Sequence, residues 1–213
     1  MAKIFVIGID EVGRGSWAGP LFFAAVCFIE NVTIPHDVSI RDSKALNRVQ
    51  RVRSARFLRK NTIFSITPVP KGTLDEIGLQ RASIRGLLSC IRQIKRKILK
   101  TVDEKNGQGI ELLYKIDGRK LCDIKERHEF IVRGDDMIRE ISAASIIAKV
   151  ARDRHITRLD KKYPEYGFDS HVGYGTKKHQ EALLKYGVCE IHRTSYAPIK
   201  KILKAVGSYA QEH

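Results

Sequence analysis

The stretch Ile4-Phe5-Val6-Ile7-Gly8-Ile9-Asp10-Glu11-Val12-Gly13-Arg14-Gly15-Ser16-Trp17-Ala18-Gly19-Pro20 decides how the chain is read. Its first half is a run of β-branched and aromatic residues, the types that fit a pleated, half-buried surface. At its end stand two adjacent carboxylates, Asp10 and Glu11, where an apolar strand would ordinarily continue. Charge in that position has to be balanced by a cation, either a side chain or an ion. Magnesium and manganese favour such oxygen ligands. The glycines flanking Arg14 let the backbone approach a ligand closely, as recognition of a sugar or phosphate would need. The bland alternative is a strand capped by a solvated turn, and for an isolated Asp-Glu pair it would be the better one. The rest of the chain overturns it.

The same grammar recurs twice. Leu112-Leu113-Tyr114-Lys115-Ile116-Asp117-Gly118 is again a strand that ends in a carboxylate and a glycine, and Phe130-Ile131-Val132 leads to Arg133-Gly134-Asp135-Asp136. Asp135 is taken over Asp136 for its distance to Ile141-Ser142. A helix opening with small residues, Ile141 to Asp153, follows, with Asp135 expected before its positive end. Three strand ends thus supply Asp10, Glu11, Asp117 and Asp135, which repel one another unless divalent cations sit among them. Two ions about 4 Å apart would clamp the attacking water and the leaving oxygen of a phosphoryl displacement.

Bulk properties agree. With 213 residues, 39 Lys and Arg, 24 Asp and Glu and a net charge of +15, the chain is one basic domain whose expected partner is a polyanion, nucleic acid first. Cys27, Cys90, Cys122 and Cys189 form no paired motif, which speaks against a zinc site or disulfide framework and fits a reducing compartment. No apolar run is of membrane-spanning length and no secretory leader is recognisable, so a cytoplasmic protein is expected.

Other elements read as follows. Leu21 to Ile29 is a second strand, expected to pair with the first as a hairpin. Asp42 or Ser43 is the expected N-cap of an arginine-rich helix, with Lys44 beside a phosphate site at its start. Asn61 to Val69 alternates as a strand, with Pro68 marking an end or an edge. Leu74 to Lys100 has helical periodicity, and Val102 to Gly109 is a loop. Lys161 to Lys178 mixes tyrosine, glycine and lysine without periodicity and reads as a loop suited to stacking on a sugar or base. Gln180 to Tyr186 is a helix capped by Gly187, and a last helix runs from Pro198 to Gly207. His171, His179 and His192 read better as satisfied structural histidines than as catalytic groups.

Taken together, Gly-Ile-Asp-Glu-Val-Gly-Arg-Gly with Ala18-Gly19-Pro20, Asp42-Ser43-Lys44, Leu74 to Ala82, Ile116-Asp117-Gly118, Gly134-Asp135, Ile141 to Asp153, Gly173 to His179 and His192 to Pro198 resemble the type 2 ribonucleases H, and among them bacterial ribonuclease HII. The resemblance covers nearly the whole chain. It implies an α/β ribonuclease H-like fold, a mixed central sheet flanked by helices, with a small C-terminal helical segment. Residues 1–160 would form the catalytic domain and 161–213 a substrate-contacting loop and helices of the same compact unit. It implies an endonuclease that hydrolyses the RNA strand of RNA-DNA hybrids and cuts 5′ to single ribonucleotides in duplex DNA, leaving 3′-hydroxyl and 5′-phosphate ends. Two Mg²⁺ or Mn²⁺ ions would be held by Asp10, Glu11, Asp117 and Asp135. Gly13, Arg14 and Gly15 would read the 2′-hydroxyl through their backbone, the one group that marks a ribonucleotide, and Tyr174 would stack on the following deoxyribose. Lys44, Ser145 and Lys149 are the further substrate-binding candidates. The partners implied are hybrid and ribonucleotide-containing duplexes, met by a monomer away from membranes. Against the resemblance, the helix after Lys44 is unusually rich in arginine, and Val188 to Ile191 replaces a more proline-rich stretch. Two other readings are a ribonuclease HIII, which the Gly-Arg-Gly turn and the lack of an additional N-terminal domain disfavour, and a silent nucleic-acid-binding protein, which retention of all four carboxylates disfavours.

Overall fold

The structure is a computed structural model that describes residues 3–29, 32–41, 43–103 and 109–209. It divides into two compact units, one built from Met1–Val12, Phe22–Pro68 and Ile84–Ala151, the other from Gly13–Leu21, Val69–Ser83 and Arg152–His213.

The first unit holds a mixed five-stranded sheet. In chain order its strands are β1 (Lys3–Val12), β2 (Leu21–Cys27), β3 (Ile63–Val69), β4 (Ile110–Asp117) and β5 (His128–Ile131), and in space they run β3-β2-β1-β4-β5. β1 pairs antiparallel with β2, as the expected hairpin, and parallel with β4, which pairs parallel with β5. Pro68 sits on β3, at the sheet edge, where a missing N–H costs no ladder bond. α1 (Arg48–Asn61) and α2 (Lys71–Asp103) follow β2 and β3, the latter helix interrupted at Gly78, whose φ of 79° and ψ of 160° are not helical. α3 (Gly134–Met137) is a single turn, and α4 (Arg139–Asp160) is the long helix after it.

Phe5, Ile7 and Ile9 are buried on one face of β1, which leaves Gly8 and Asp10 on the other. There α4 comes in so closely that a Cβ on Gly8 would lie 2.0 Å from the carbonyl carbon of Glu140. Small residues make the approach possible. Ala143, Ala144, Ile147 and Ala148 of α4 join Ala24 and Val26 of β2 and Ala55 and Leu58 of α1 in one buried cluster.

Several boundaries differ from the sequence reading. α1 is capped by Asn47, whose side chain accepts from Gln50 N while the Gln50 side chain accepts from Asn47 N. That reciprocal box outcompetes Ser43, and the other expected cap, Asp42, lies outside the described residues. Lys44 therefore does not flank the helix start. Asp135 lies within α3, an additional single turn, and as expected it precedes the longer helix α4. α2 continues to Asp103, into the expected loop 102–109, of which residues 104–108 lie outside the description.

In the second unit the expected loop 161–178 contains a 3-10 turn, Pro164–Tyr166, and a short helix α5 (Phe168–His171). Aromatic packing organises it, with Tyr166 stacked on Phe168 at 5.3 Å. α6 (Lys177–Tyr186) starts under a Thr176 cap, three residues before the expected Gln180, and stops at Gly187 as expected, while α7 (Ala197–Tyr209) runs past Gly207 because glycine, though a poor helix former, does not by itself end a helix. The core gathers Ala18, Ile156, Tyr166, Phe168, Leu183 and Ile199. No helix among the described residues is long and apolar enough to cross a membrane.

His179 and His192 lie fully buried in this unit, as structural histidines. The N–H of Cys189 donates to His192 Nδ1 at 2.9 Å, and His179 Nδ1 lies 2.9 Å from the Tyr174 carbonyl, which can only accept. Neutral rings then have one consistent arrangement, in which His192 Nε2–H donates to His179 Nε2 across 3.0 Å. Burial pushes both imidazoles down to about 4.

Two outcomes follow from this packing. Gly8→Ala should cost about 3 kcal/mol in urea unfolding, since the backbone of α4 has to move, and a cost near zero would refute the close approach. For the histidines, native values below the unfolded one mean that their stability contribution is complete above pH 6.5 and is lost as pH falls toward 4. Urea midpoints at pH 7 and pH 5 should reveal a loss of about 2 kcal/mol per ring, and His179→Gln should remove part of that slope.

Candidate active site

The register of the sheet assembles the carboxylates. β1 and β4 run parallel with Ile9 opposite Ile116, so the next residues, Asp10 and Asp117, leave adjacent strands side by side. β5 lies parallel to β4 with Ile131 opposite Asp117, and the turn after β5 brings in Gly134 and Asp135. All four acidic residues stand at or just beyond the C-terminal ends of three neighbouring parallel strands, the end at which open α/β sheets bind ligands.

Asp10 is 7% exposed and Asp135 equally so. Burial raises the Asp10 carboxyl well above the usual carboxylate range, and the charges of Glu11 and Asp117 raise it further; a Ser145 hydrogen bond and the Glu11 N–H at 2.7 Å oppose them. Asp117 is raised by burial and by Asp135, and is partly restrained by the N–H groups of Gly134 and Asp135 and by the charge of Lys44. Gly134 N donates to Asp117 Oδ1 at 2.7 Å, and a side chain at Gly134 would meet Ile141, so the turn needs glycine for its packing. The mutual effects bind the residues into one electrostatic group.

Lys44 Nζ reaches Asp135 Oδ2 at 3.3 Å, and its side chain is 80% exposed, so the contact is easily exchanged. Ser145, buried on α4, lies 2.9 Å from the hydroxyl of Ser43, whose carbonyl in turn accepts from Arg51. Lys149 follows Ser145 by one helical turn and is half-buried. Lys44 and Ser145 thus both touch the carboxylate group. As they stand, no three His, Cys, Asp or Glu side chains among the described residues are drawn tightly enough to hold an ion. An all-oxygen donor set that includes buried carboxylates is chemically matched to Mg²⁺ or Mn²⁺.

Gly13, Arg14, Gly15 and Tyr174 belong to the second unit. Gly13 has φ of 95°, and a Cβ there would lie 2.3 Å from Arg152 Nε. Tyr174 is half-buried, with the Arg152 guanidinium 5.3 Å from its ring centroid. Its neighbour Gly175 lies against the Trp17 ring so closely that a Cβ would fall 2.2 Å from it. Sequence reasoning missed Arg152 and Arg193, which are fully buried here. In a chain with 39 basic residues nothing in the local pattern marks these two as interior.

Residues 7–199 match the sequence model of a protein family described as Ribonuclease HII. A ribonuclease HII of Pelagibacter ubique is 39% identical over 197 residues, which cover 92% of this chain and 97% of that protein. The crystal structure of ribonuclease H2 from Pyrococcus horikoshii superposes with a TM-score of 0.72 at 23% identity, covering 94% of this chain and 98% of that one. Bst-RNase HIII, solved in complex with Mn²⁺, gives 0.62 at 22% identity over 96% of this chain and 70% of its own.

Since burial and like charge raise the Asp10 carboxyl, its ionised form destabilises the cation-free fold at neutral pH, and the effect fades as pH falls through the raised value. Asp10→Asn in a chelating buffer should therefore melt higher than the parent, by about 2–4 °C if about 1 kcal/mol is recovered. An equal or lower melting temperature would show that the carboxylates do not repel.

Proposed function

Because the chain belongs to the ribonuclease HII family of metal-dependent endoribonucleases, we propose that it hydrolyses the RNA strand of RNA-DNA hybrids and incises duplex DNA 5′ to a single embedded ribonucleotide. The observation that carries the reading is the gathering of Asp10, Glu11, Asp117 and Asp135 at the ends of three neighbouring parallel strands. Such a set is a poor arrangement for stability and a good one for holding divalent cations.

Asp10, Glu11, Asp117 and Asp135 would hold two ions, Mg²⁺ or Mn²⁺. When bound, these supply charge stabilisation for the attacking water and for the leaving 3′-oxygen. Asp10 and Asp117 would give up the protons that their raised values favour, so ion binding would strengthen with pH. Gly134 N, by fixing Asp117 Oδ1, leaves the other oxygen of that carboxylate to face a ligand. Lys44, on an exposed and easily exchanged contact, is suited to move from Asp135 to a substrate phosphate. Lys149, one turn beyond Ser145, would add a second cation for the backbone.

With water as the nucleophile, the products are a 3′-hydroxyl and a 5′-phosphate that carries the ribonucleotide. Gly13, Arg14 and Gly15 would recognise the 2′-hydroxyl, and Tyr174 would stack on the next sugar. A net charge of +15 supports binding to a duplex through its phosphates.

The test is a labelled DNA duplex with one ribonucleotide, incubated with Mg²⁺ or Mn²⁺ and with chelator. Cation-dependent incision 5′ to the ribonucleotide, leaving a 3′-hydroxyl, is expected. Asp135→Asn should lower kcat by about 10³-fold or more, since several kcal/mol of charge stabilisation disappear. Cleavage confined to longer RNA tracts would favour the ribonuclease HIII reading, and binding without cleavage a silent fold.

A further inference from the structure

Beneath the turn that follows β1, the second unit buries two arginines whose hydrogen bonds go to backbone carbonyls and hydroxyls. Arg152 and Arg193 are both 0% exposed. Arg193 Nη1 donates to Gly13 O at 2.7 Å and to Arg14 O at 3.1 Å, and its Nε donates to Gly19 O at 2.8 Å. Arg152 donates to Ala18 O, Pro20 O and Val172 O, and to the hydroxyl of Ser16. Tyr196 completes the set, accepting from Arg193 Nη1 at 2.8 Å while its hydroxyl donates to Arg14 O at 2.6 Å.

The consequence lies on the opposite side of the peptide planes. In a trans peptide the carbonyl and the next residue's N–H point in opposite directions. Tying Gly13 O and Arg14 O to Arg193 therefore turns the amides of Arg14 and Gly15 away from the arginines. A hydroxyl oxygen is the kind of acceptor two such amides suit. The remaining guanidinium nitrogen, Arg193 Nη2, is buried and has no hydrogen-bond partner among the described residues. Arg152 links the second element, because its guanidinium lies against both Gly13 and the Tyr174 ring.

We propose that Arg193, with Tyr196, is the positioning pair that sets ribose recognition, by holding the Gly13 and Arg14 carbonyls inward so that the following amides face the 2′-hydroxyl. This rests on the reading that the turn recognises that group. Neither residue touches substrate. Lysine cannot replace Arg193, since one ammonium does not span the carbonyls of Gly13, Arg14 and Gly19 with a planar fork.

The experiment compares the full-length parent, Tyr196→Phe and Arg193→Lys on two duplexes that differ only by ribose or deoxyribose at one nucleotide. Binding of both duplexes, kcat and KM on the ribose duplex, and the Mn²⁺ midpoint are measured. Tyr196→Phe should raise KM about tenfold, the worth of one good hydrogen bond, with kcat within about twofold. Its preference for the ribose duplex should fall by the same factor, while affinity for the all-DNA duplex and the Mn²⁺ midpoint stay put. Arg193→Lys should lose more of the same preference. A general loss of structure would instead weaken both duplexes together. Retention of the full ribose preference by folded Tyr196→Phe overturns the proposal, and that variant decides alone if Arg193→Lys does not fold. A parent that itself shows no ribose preference would overturn the proposed function instead.

Discussion

The parallel pairing of β1 with β4 is the constraint on which the rest depends. It places Asp10 beside Asp117 at the end of two buried strands, a position that hydrophobic burial alone would have filled with isoleucine or valine. Around that pair the molecule makes local concessions. Gly8 gives up a side chain so that α4 can reach the sheet, α4 carries only serine and alanine from Ser142 to Ser145, and Ser145 arrives as a hydrogen-bond donor to Asp10. Desolvation and like charge both work against the ionised carboxylates, and the Ser145 hydroxyl, backbone N–H groups and Lys44 offset part of that cost.

The carboxylate end and the turn after β1 rest on different physics. The carboxylate end is governed by charge in a low-dielectric setting, where a single neutralisation has a large effect. The turn after β1 is governed by hydrogen-bond direction, imposed by arginines whose charge is spread over backbone carbonyls and a hydroxyl. Asp75 plays a related part on the second unit's other side. Burial alone would raise its carboxyl, but hydrogen bonds from Ser195, Lys71 and Thr194 hold it below the usual range and anchor the segment that carries Arg193.

Much of this was legible in the chain. Strands ending in Asp-Glu, Asp-Gly and Gly-Asp announce themselves through β-branched runs that stop at charge, and the hairpin and the α6 stop at Gly187 follow from local turn chemistry. What was not legible is decided by competition or by tertiary contact. Asn47 displaced Ser43 as a cap because Gln50 could answer it, a pairing visible only once the helix start is known. The 161–178 segment looked aperiodic because its order comes from stacked rings, not from a repeating backbone pattern. Arg152 and Arg193 were invisible because arginine reads as surface, and their burial depends on carbonyls distant in sequence.

The His179–His192 contact carries one more implication. Two neutral imidazoles have four tautomer combinations in water, yet here an amide at one end and a carbonyl at the other fix the polarity of the whole line. Any other combination would set lone pair against lone pair or hydrogen against hydrogen. The interior of this unit therefore acts as a filter on proton placement, selecting one tautomer pair as strictly as it selects rotamers, and the carbonyl of Tyr174 is where that selection terminates.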